Sequence, residues 1–393
     1  MKLDSKQTIT SNHWIFRLIL AGLLAQLLLS STLWFRPAGV LEYLPLFSFG
    51  TELWQASSVV LFPVFIIIIM AGMMLGPRRW LLGSLLIVAI LLVVGNIHRL
   101  QVWFYFYLIV LSIYLFINLV NDVAQRWLLR SVFILIYSWS GIHKLNVHFS
   151  NDIFPWLLES TFLSHWATDP SNAIIAGLIE LGIGIGLAMA WSRRMAVIAL
   201  GIFHLGILYV LGPLGHDWNV VVWPWNVLMP MIGFGLFYPY TTHSFSAQFN
   251  FFKKHKIAWV LIPLVGWFPM FNFFGITPEQ LSFKMYAGSH PEVVFYFDNK
   301  DKALFKNIET DYNSIEAGLE PSYRFQLDEV SFIEFGTPLF TTKKTARKVG
   351  RSLCNRLSHP ELGGIWYLES DPWNIDGGAF EKITCEELLD KKK

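Results

Sequence analysis

The sequence predicts an all-α polytopic membrane bundle of about nine transmembrane helices, followed by a small C-terminal β-rich extramembrane domain. Hydrophobic residues make up 54% of the 393 residues, and only 15% are charged. Soluble domains carry roughly 25% charged residues, so this composition indicates a membrane protein. Near residue 275 the pattern changes, because charged and turn-forming residues become frequent. The predicted domains are therefore 1–274, which is transmembrane, and 275–393, which is extramembrane.

The transmembrane domain is predicted from apolar runs that approach the length needed to cross a bilayer, about 20 residues. The runs are 14–33, 53–75, 80–95, 102–120, 127–142, 173–191, 195–211, 218–237 and 257–274. The segment 152–163 is too short to span a membrane, and it is predicted to lie in the interface.

Basic residues predict the orientation of the spans, because lysine and arginine are enriched in cytoplasmic loops. The clusters are Lys2, Lys6 and Arg17; Arg78 and Arg79; Arg126 and Arg130; Arg193 and Arg194; and Lys253, Lys254 and Lys256. With nine spans, all of them fall on one side. The N-terminus is then cytoplasmic and the C-terminal domain is outside, in the periplasm or the extracellular space.

The C-terminal region shows strand patterns and one amphipathic helix pattern. The strands are predicted at 282–286, 293–297 and 325–335, and the helix at 343–357. On the outside of a membrane, Cys354 and Cys385 could form a disulfide. The net charge of +2, with no basic run interleaved with aromatics, gives no indication of a nucleic-acid partner.

Lys144 is the central candidate for a catalytic residue, and together with His143 it directly follows the fifth predicted span. A lysine at the end of an apolar helix is usually an anchor whose ammonium group reaches the lipid headgroups. A lysine held inside an apolar bundle could instead be a base, because burial disfavours its charged form. The residues alone favour the anchor, and both interpretations stay open at this point.

Further polar residues lie within the spans or at the ends opposite the basic clusters. They are His98, Arg99 and Gln101; His148 and Asp152; Glu180; His204; His216 and Asp217; and Trp223 and Asn226. Arg99 could bind an anionic group and Gln101 a carbonyl, or both could belong to an ordinary helix end. A lone histidine in an apolar helix, such as His204, is more often an interhelical hydrogen-bond partner than a catalyst. No cysteine and histidine spacing typical of zinc and no nucleotide or hydrolase motif occurs.

Three motifs, in order, resemble vitamin K-dependent γ-carboxylase and its bacterial relatives, the horizontally transferred transmembrane domain (HTTM) proteins. They are the stretch 137–146, with its Ser-Gly-x-x-Lys-Leu-Asn pattern; Phe203-His204 before an aromatic-rich helix; and the stretch 281–286. The resemblance covers about residues 90–300. Asn146 stands where the carboxylase has aspartate and Phe283 where it has tryptophan. The core is also similar, more distantly, to DoxX-type membrane redox proteins, which are associated with quinones and thiols.

The resemblance implies a membrane enzyme that acts at the outer leaflet with reduced vitamin K or menaquinol and without a metal. Lys144 would be the catalytic base that deprotonates the quinol, and His204 would hydrogen-bond the quinol or an oxygenated intermediate. Oxygenation of the quinol would then make a base strong enough to abstract a substrate proton, and CO2 would be captured. The residues predicted to bind the quinone are His98, Arg99, Gln101, Trp139, His143, Asn146, His216, Asp217, Trp223 and Asn226.

Three functions remain open from the sequence. The first is carboxylation or a related quinol-linked oxidation. The second is a DoxX-like redox accessory that acts on quinones or thiols. The third is a non-enzymatic membrane scaffold that binds a peptide or protein partner through its C-terminal domain. In each of them the predicted partners include membrane lipid, and the first two also include a quinone.

Overall fold

The computed structural model describes residues 5–35, 39–47, 51–117, 122–238, 258–306, 308, 311–313, 322–374 and 378–390. Within these residues the chain is mostly helical and contains one small antiparallel sheet. Lys2, Lys253, Lys254 and Lys256, which contribute to the predicted orientation, lie outside the described residues.

The chain divides into two compact units. The first, called the helical unit below, consists of Met1–Leu29, Val60–Leu92 and Leu100–Gly288. The second, called the sheet unit, consists of Ser30–Val59, Val93–Arg99 and Ser289–Lys393. The sheet unit thus includes two stretches that the sequence pattern assigned to the transmembrane domain.

Eleven α-helices precede the sheet in the described part of the chain. They are α1 (Ser5–Leu29), α2 (Ser31–Phe35), α3 (Thr51–Leu75), α4 (Arg79–Gly95), α5 (Val102–Ile117), α6 (Asp122–His143), α7 (Phe154–Glu159), α8 (Pro170–Ala188), α9 (Arg193–Leu211), α10 (Trp223–Phe237) and α11 (Ala258–Gly266). Segment 152–163, predicted to lie in the interface, corresponds to the end of a π-helical turn (Phe149–Ile153), α7 and the turn that follows it.

Four stretches in the described residues are long and apolar enough to cross a membrane, judged by length and composition. They are Ser58–Leu75, Pro170–Ala188, Arg193–Leu211 and Val220–Phe237. Four shorter apolar stretches coincide with further predicted spans: His13–Leu29, Arg79–Gly95, Val102–Ile117 and Ala258–Phe274. These helices support the conclusion that the chain is a membrane protein. The number of nine spans stays a prediction.

Helices α6 and α8 pack backbone against backbone, because glycines of both helices lie at their contact. A Cβ added at Gly141 would lie 2.4 Å from the backbone nitrogen of Leu181, and one added at Gly184 would lie 2.8 Å from the backbone nitrogen of Ser138. Small residues allow such an approach between apolar helices, which lack a hydrophobic driving force in lipid. This contact sets the separation of the side chains that α6 and α8 direct to their common side.

The sheet unit is built on five antiparallel strands in the order β2-β3-β1-β4-β5. They are β1 (Glu292–Phe297), β2 (Asp311–Asn313), β3 (Ser322–Gln326), β4 (Gly364–Leu368) and β5 (Phe380–Thr384). Three helices accompany them: α12 (Leu327–Phe335), α13 (Lys343–Cys354) and α14 (Cys385–Leu389). A disulfide between Cys354 and Cys385 joins the end of α13 to the start of α14.

Two strand predictions in the C-terminal region are wrong. Residues 282–286 form no strand, and Phe283 and Tyr286 have the positive φ angles 53° and 51°, which interrupt extended structure. The pattern at 325–335 belongs to the end of β3 followed by α12. The strand at 293–297 lies within β1, and the amphipathic helix predicted at 343–357 ends at Cys354.

Candidate functional site in the helical unit

A cavity of about 620 Å³ lies in the helical unit, with walls from α6, α7, α8, α9 and α10. Most of its lining is aliphatic or aromatic, including Phe149, Phe154, Leu157 and Trp225. Its volume falls within the range of roughly 300–1,000 Å³ that is typical of small-molecule sites. Six polar side chains in the wall carry the candidate chemistry: Tyr137, Ser140, Lys144, Glu180, His204 and Asn226.

Lys144 forms a buried ion pair with Glu180. Its Nζ lies 2.8 Å from Oε2 of Glu180, and the two side chains are only 11% and 6% exposed. The ammonium group also donates a hydrogen bond of 2.9 Å to Oγ of Ser140, one turn earlier on α6. Lys144 is therefore held inside the wall of the cavity, which is not the arrangement of a lysine that reaches the headgroups.

His204 is the centre of a second polar group, in which both ring nitrogens are hydrogen-bonded. Its Nδ1 lies 2.8 Å from Oδ1 of Asn226, and its Nε2 lies 2.6 Å from the hydroxyl of Tyr137. The amide of Asn226 is oriented by its own nitrogen, which donates to the carbonyl of Val222 at 2.9 Å. The network therefore assigns a proton to Nδ1 of His204, which leaves Nε2 to accept from Tyr137.

Helix α6 brings the two groups to the same cavity through its periodicity. Tyr137 and Ser140 lie in α6 and Lys144 lies in the turn directly after it, and their spacing of i, i+3 and i+7 places them on the same side of this segment. Glu180 comes from α8, His204 from α9 and Asn226 from α10. Inside such an apolar wall, charge interactions are stronger than in water. The arrangement can hold a ligand that carries hydroxyl or carbonyl groups, and it can take up a proton from such a ligand.

Three predicted binding residues at the end of α6 serve the packing of this region. Asn146 donates to the carbonyls of His143 and Ala287 and accepts from the backbone of Phe149. The indole of Trp139 donates to the carbonyl of Gly266 at 3.1 Å. The ring of His143 stacks on another aromatic ring, that of Phe273, at 4.7 Å. None of the three predicted residues is among those that line the cavity in the described part of the chain.

The turn before α10 also lies apart from the cavity wall. His216 stacks on Trp156 at 4.4 Å, with its Nδ1 3.9 Å from the carboxylate of Glu159. Asp217 is exposed, and the indole of Trp223 donates to the carbonyl of Leu211 at 3.1 Å. Gln101 is buried in the helical unit and is likewise not a lining residue.

His98 and Arg99 belong to the sheet unit, where both are completely buried. The backbone N–H of Phe340 donates to Nδ1 of His98 at 3.2 Å, and burial lowers the pKa of His98 to about 3. Arg99 donates to Oγ of Ser58 at 2.9 Å and stacks over the ring of Trp34, and burial lowers its pKa to about 10. These are the contacts of structural side chains, and a role for them in quinone binding stays a prediction.

Of the six polar residues in the cavity wall that carry the candidate chemistry, Tyr137, Ser140 and Glu180 are absent from the predicted binding set. Glu180 carries a recognisable signal, because a lone carboxylate in an apolar span is costly unless it has a partner. Its partner could not be identified from the sequence, since Lys144 lies on a different helix. Among the described residues, no group of three or more His, Cys, Asp or Glu side chains could hold a metal ion.

Comparisons of the chain with protein-family models, with curated proteins and with solved structures found no match. The resemblance to the carboxylase and HTTM proteins therefore depends on the three motifs alone and stays a prediction.

Proposed function

We propose that this protein is an integral membrane enzyme that binds a reduced quinone, such as reduced vitamin K or menaquinol, in the cavity of the helical unit. One observation carries the proposal: two polar groups, Lys144–Glu180 and Tyr137–His204, line the same largely apolar cavity. Apolar cavities of about this volume with a few converging polar groups are typical of small-molecule sites, and a packed core has few voids larger than a water molecule.

The lining fits the chemistry of a quinol. Its aromatic and aliphatic side chains suit a flat apolar ring, and its few polar groups suit the ring hydroxyls. When bound, a reduced quinone supplies an ionisable hydroxyl and two electrons that dioxygen can accept. The protein side chains bind and orient this ring, exclude water and receive its proton.

We assign proton uptake to the Lys144–Glu180 pair as a unit. While Lys144 is protonated, the carboxylate of Glu180 holds the lone pair that accepts a proton, and the ammonium group stabilises the anion left on the ligand. If the proton instead resides on Glu180, the amine of Lys144 is the acceptor. Either way, one proton moves from the ligand hydroxyl to the pair, and Ser140 holds the nitrogen of Lys144 in place.

Tyr137 orients the other side of the ligand. Its hydroxyl hydrogen is directed to Nε2 of His204, so its oxygen faces the cavity as an acceptor for a second ligand hydroxyl. His204 is a positioning residue in this scheme, because it acts through Tyr137. Asn226 fixes the ring of His204 in the required tautomer.

The predicted topology belongs to the same proposal. Nine spans place the sheet unit outside the cytoplasm, and the disulfide between Cys354 and Cys385 supports that side, because disulfides persist in oxidising compartments. The reaction is either carboxylation or a quinol-linked oxidation, and incorporation of labelled bicarbonate into a peptide or protein fraction distinguishes the two.

The test is quinol consumption by membranes that contain Lys144→Ala, Lys144→Arg or the wild-type protein. Removal of a positioned acid–base group lowers turnover by roughly 100-fold or more, and we expect both variants to show this loss. Lys284→Ala is the matched control, because Lys284 also forms a buried ion pair, 3.1 Å from Glu279, but does not line the cavity. Unchanged turnover per folded molecule in both Lys144 variants would exclude the proposed role.

A further inference from the structure

The cavity opens sideways through the surface of α9. Ile202, Leu205 and Tyr209 line the cavity, yet they are 66%, 67% and 37% exposed. Their spacing of i, i+3 and i+7 places them along one face of the helix. Phe162, after α7, is also a lining residue and is 76% exposed. These four side chains, called the rim below, therefore border an opening on the outside of the helical unit.

Gly206 forms a gap in the α9 side of this rim. It lines the cavity, and a Cβ added at this position would meet no atom within 4 Å. A larger residue would have room here and would narrow the opening. Since α9 is one of the helices that are apolar and long enough to cross a membrane, its exposed face would contact lipid hydrocarbon.

The polarity of the cavity is graded from inside to outside. The buried groups Lys144, Glu180 and His204 lie in its inner wall, and the rim consists of Phe162, Ile202, Leu205 and Tyr209. An amphipathic ligand would thus place its polar head inside and its hydrocarbon part at the rim. In the described lining, the charge of Lys144 is already neutralised by Glu180, so a phosphate-bearing head finds no unpaired cation there.

We infer that the rim holds the single hydrocarbon chain of a ligand with an uncharged hydroxylated head, and that this ligand enters sideways from the membrane between Phe162 and α9. The inference depends on the proposed function for the identity of the head, which is the quinol ring. It adds the route of entry, the position of the chain and a preference for a chain-bearing substrate.

Photocrosslinking of the purified full-length protein tests the position of the chain. The probe is a long-chain quinone with a diazirine in the first third of its chain, and mass spectrometry locates the adducts. We expect adducts on Phe162, Leu205 or Tyr209, and competition by an excess of unlabelled long-chain quinone. Gly206→Phe should reduce these adducts at least tenfold. Gly201→Phe is the control, because a Cβ there also meets nothing within 4 Å and Gly201 does not line the cavity.

Two results would overturn the inference. One is the absence of rim adducts in the wild-type protein. The other is equal labelling of the rim by a diazirine phosphatidylcholine that the quinone does not displace, because the rim would then be an ordinary lipid contact.

Turnover assays separate this inference from the proposed function. With an active enzyme, Gly206→Phe should raise KM for a long-chain quinol by a much larger factor than KM for a chainless quinol. Rim adducts without turnover of either quinol would support the inference and contradict the proposed function. Turnover of both quinols without rim adducts would support the proposed function and contradict the inference.

Discussion

The ammonium nitrogen of Lys144 and a carboxylate oxygen of Glu180 lie 2.8 Å apart inside a wall that is otherwise largely apolar. Removing one member leaves the other charge buried without its partner, which costs about 3–5 kcal/mol. We therefore expect Glu180→Gln and Lys144→Met each to lower the midpoint of thermal unfolding in detergent.

The double variant Lys144→Met with Glu180→Gln separates stability from activity. Because it removes both charges, it should recover much of the unfolding midpoint that either single variant loses. Its quinol turnover should stay as low as that of Lys144→Met. If the decrease in unfolding midpoint in the double variant equals the sum of the two single decreases, the two residues do not act as a pair.

Tyr137→Phe tests the second polar group of the cavity. The variant removes the donor to His204 and the acceptor that faces the ligand, while the ring keeps its packing. One such hydrogen bond contributes about 0.5–1.5 kcal/mol to stability, so the protein should stay folded. We expect KM for the quinol to rise more than kcat falls, measured in membranes. A change in kcat alone would contradict an orienting role for Tyr137.

Most helices of this protein can be predicted from its sequence, because apolar runs and amphipathic periodicity are local patterns. The predicted run 53–75 differs from α3 by two residues, and the amphipathic pattern after Thr342 corresponds to α13. At 325–335, the sequence pattern resembles that of a strand. Burial of Leu327, Val330 and Ser331 follows a helical period instead, so the helix is stabilised by its packing.

The set of residues that form the site is harder to predict from the sequence, because it depends on contacts between helices. Lys144 and His204 were identifiable as costly groups in apolar surroundings, and both line the cavity. The pairing of Lys144 with Glu180 depends on the close packing of α6 against α8, which no local pattern specifies. His98 illustrates the reverse case, since the sequence does not reveal that its segment belongs to the sheet unit.

Cysteine labelling tests the proposed topology. Because both native cysteines are in a disulfide, a single added cysteine at an exposed position is the reactive thiol. Lys344→Cys in the sheet unit should react with a membrane-impermeant maleimide in intact spheroplasts. Arg78→Cys, in one of the basic loops, should react only after permeabilisation. The opposite pattern would show that the orientation is reversed, and labelling of both from outside would contradict the span count.

Acidification should destabilise the sheet unit through His98. Burial lowers the pKa of His98 from 6.5 to about 3 in the folded protein, so only the unfolded chain takes up this proton between those values. The free energy of unfolding therefore contains the full contribution of neutral His98 above pH 6.5, and it loses this contribution as the pH falls towards 3. One unit below the unfolded pKa, at pH 5.5, the loss is about 1.4 kcal/mol.

His98→Gln provides the comparison for this prediction. Glutamine can accept the hydrogen bond from the backbone of Phe340 but does not titrate in this range. The difference in unfolding midpoint between pH 7.5 and pH 5.5 should therefore be smaller in the variant than in the wild type. Parallel pH profiles of the two proteins would exclude His98 as the source of the effect.

Gly141 connects the fold to the site, because it lies where α6 and α8 touch, one turn before Lys144. A Cβ at this position would lie 2.4 Å from the backbone of Leu181, next to Glu180, so Gly141→Ala must push the two helices apart. Overpacking of this kind costs about 1–3 kcal/mol, and the displacement acts directly on the Lys144–Glu180 distance. We expect reduced stability and at least a tenfold loss of turnover. Gly182→Ala on α8 is the control, since its Cβ meets nothing within 4 Å, and it should leave both quantities unchanged. Full activity of Gly141→Ala would mean that the ion pair tolerates a wider separation than the proposed chemistry allows.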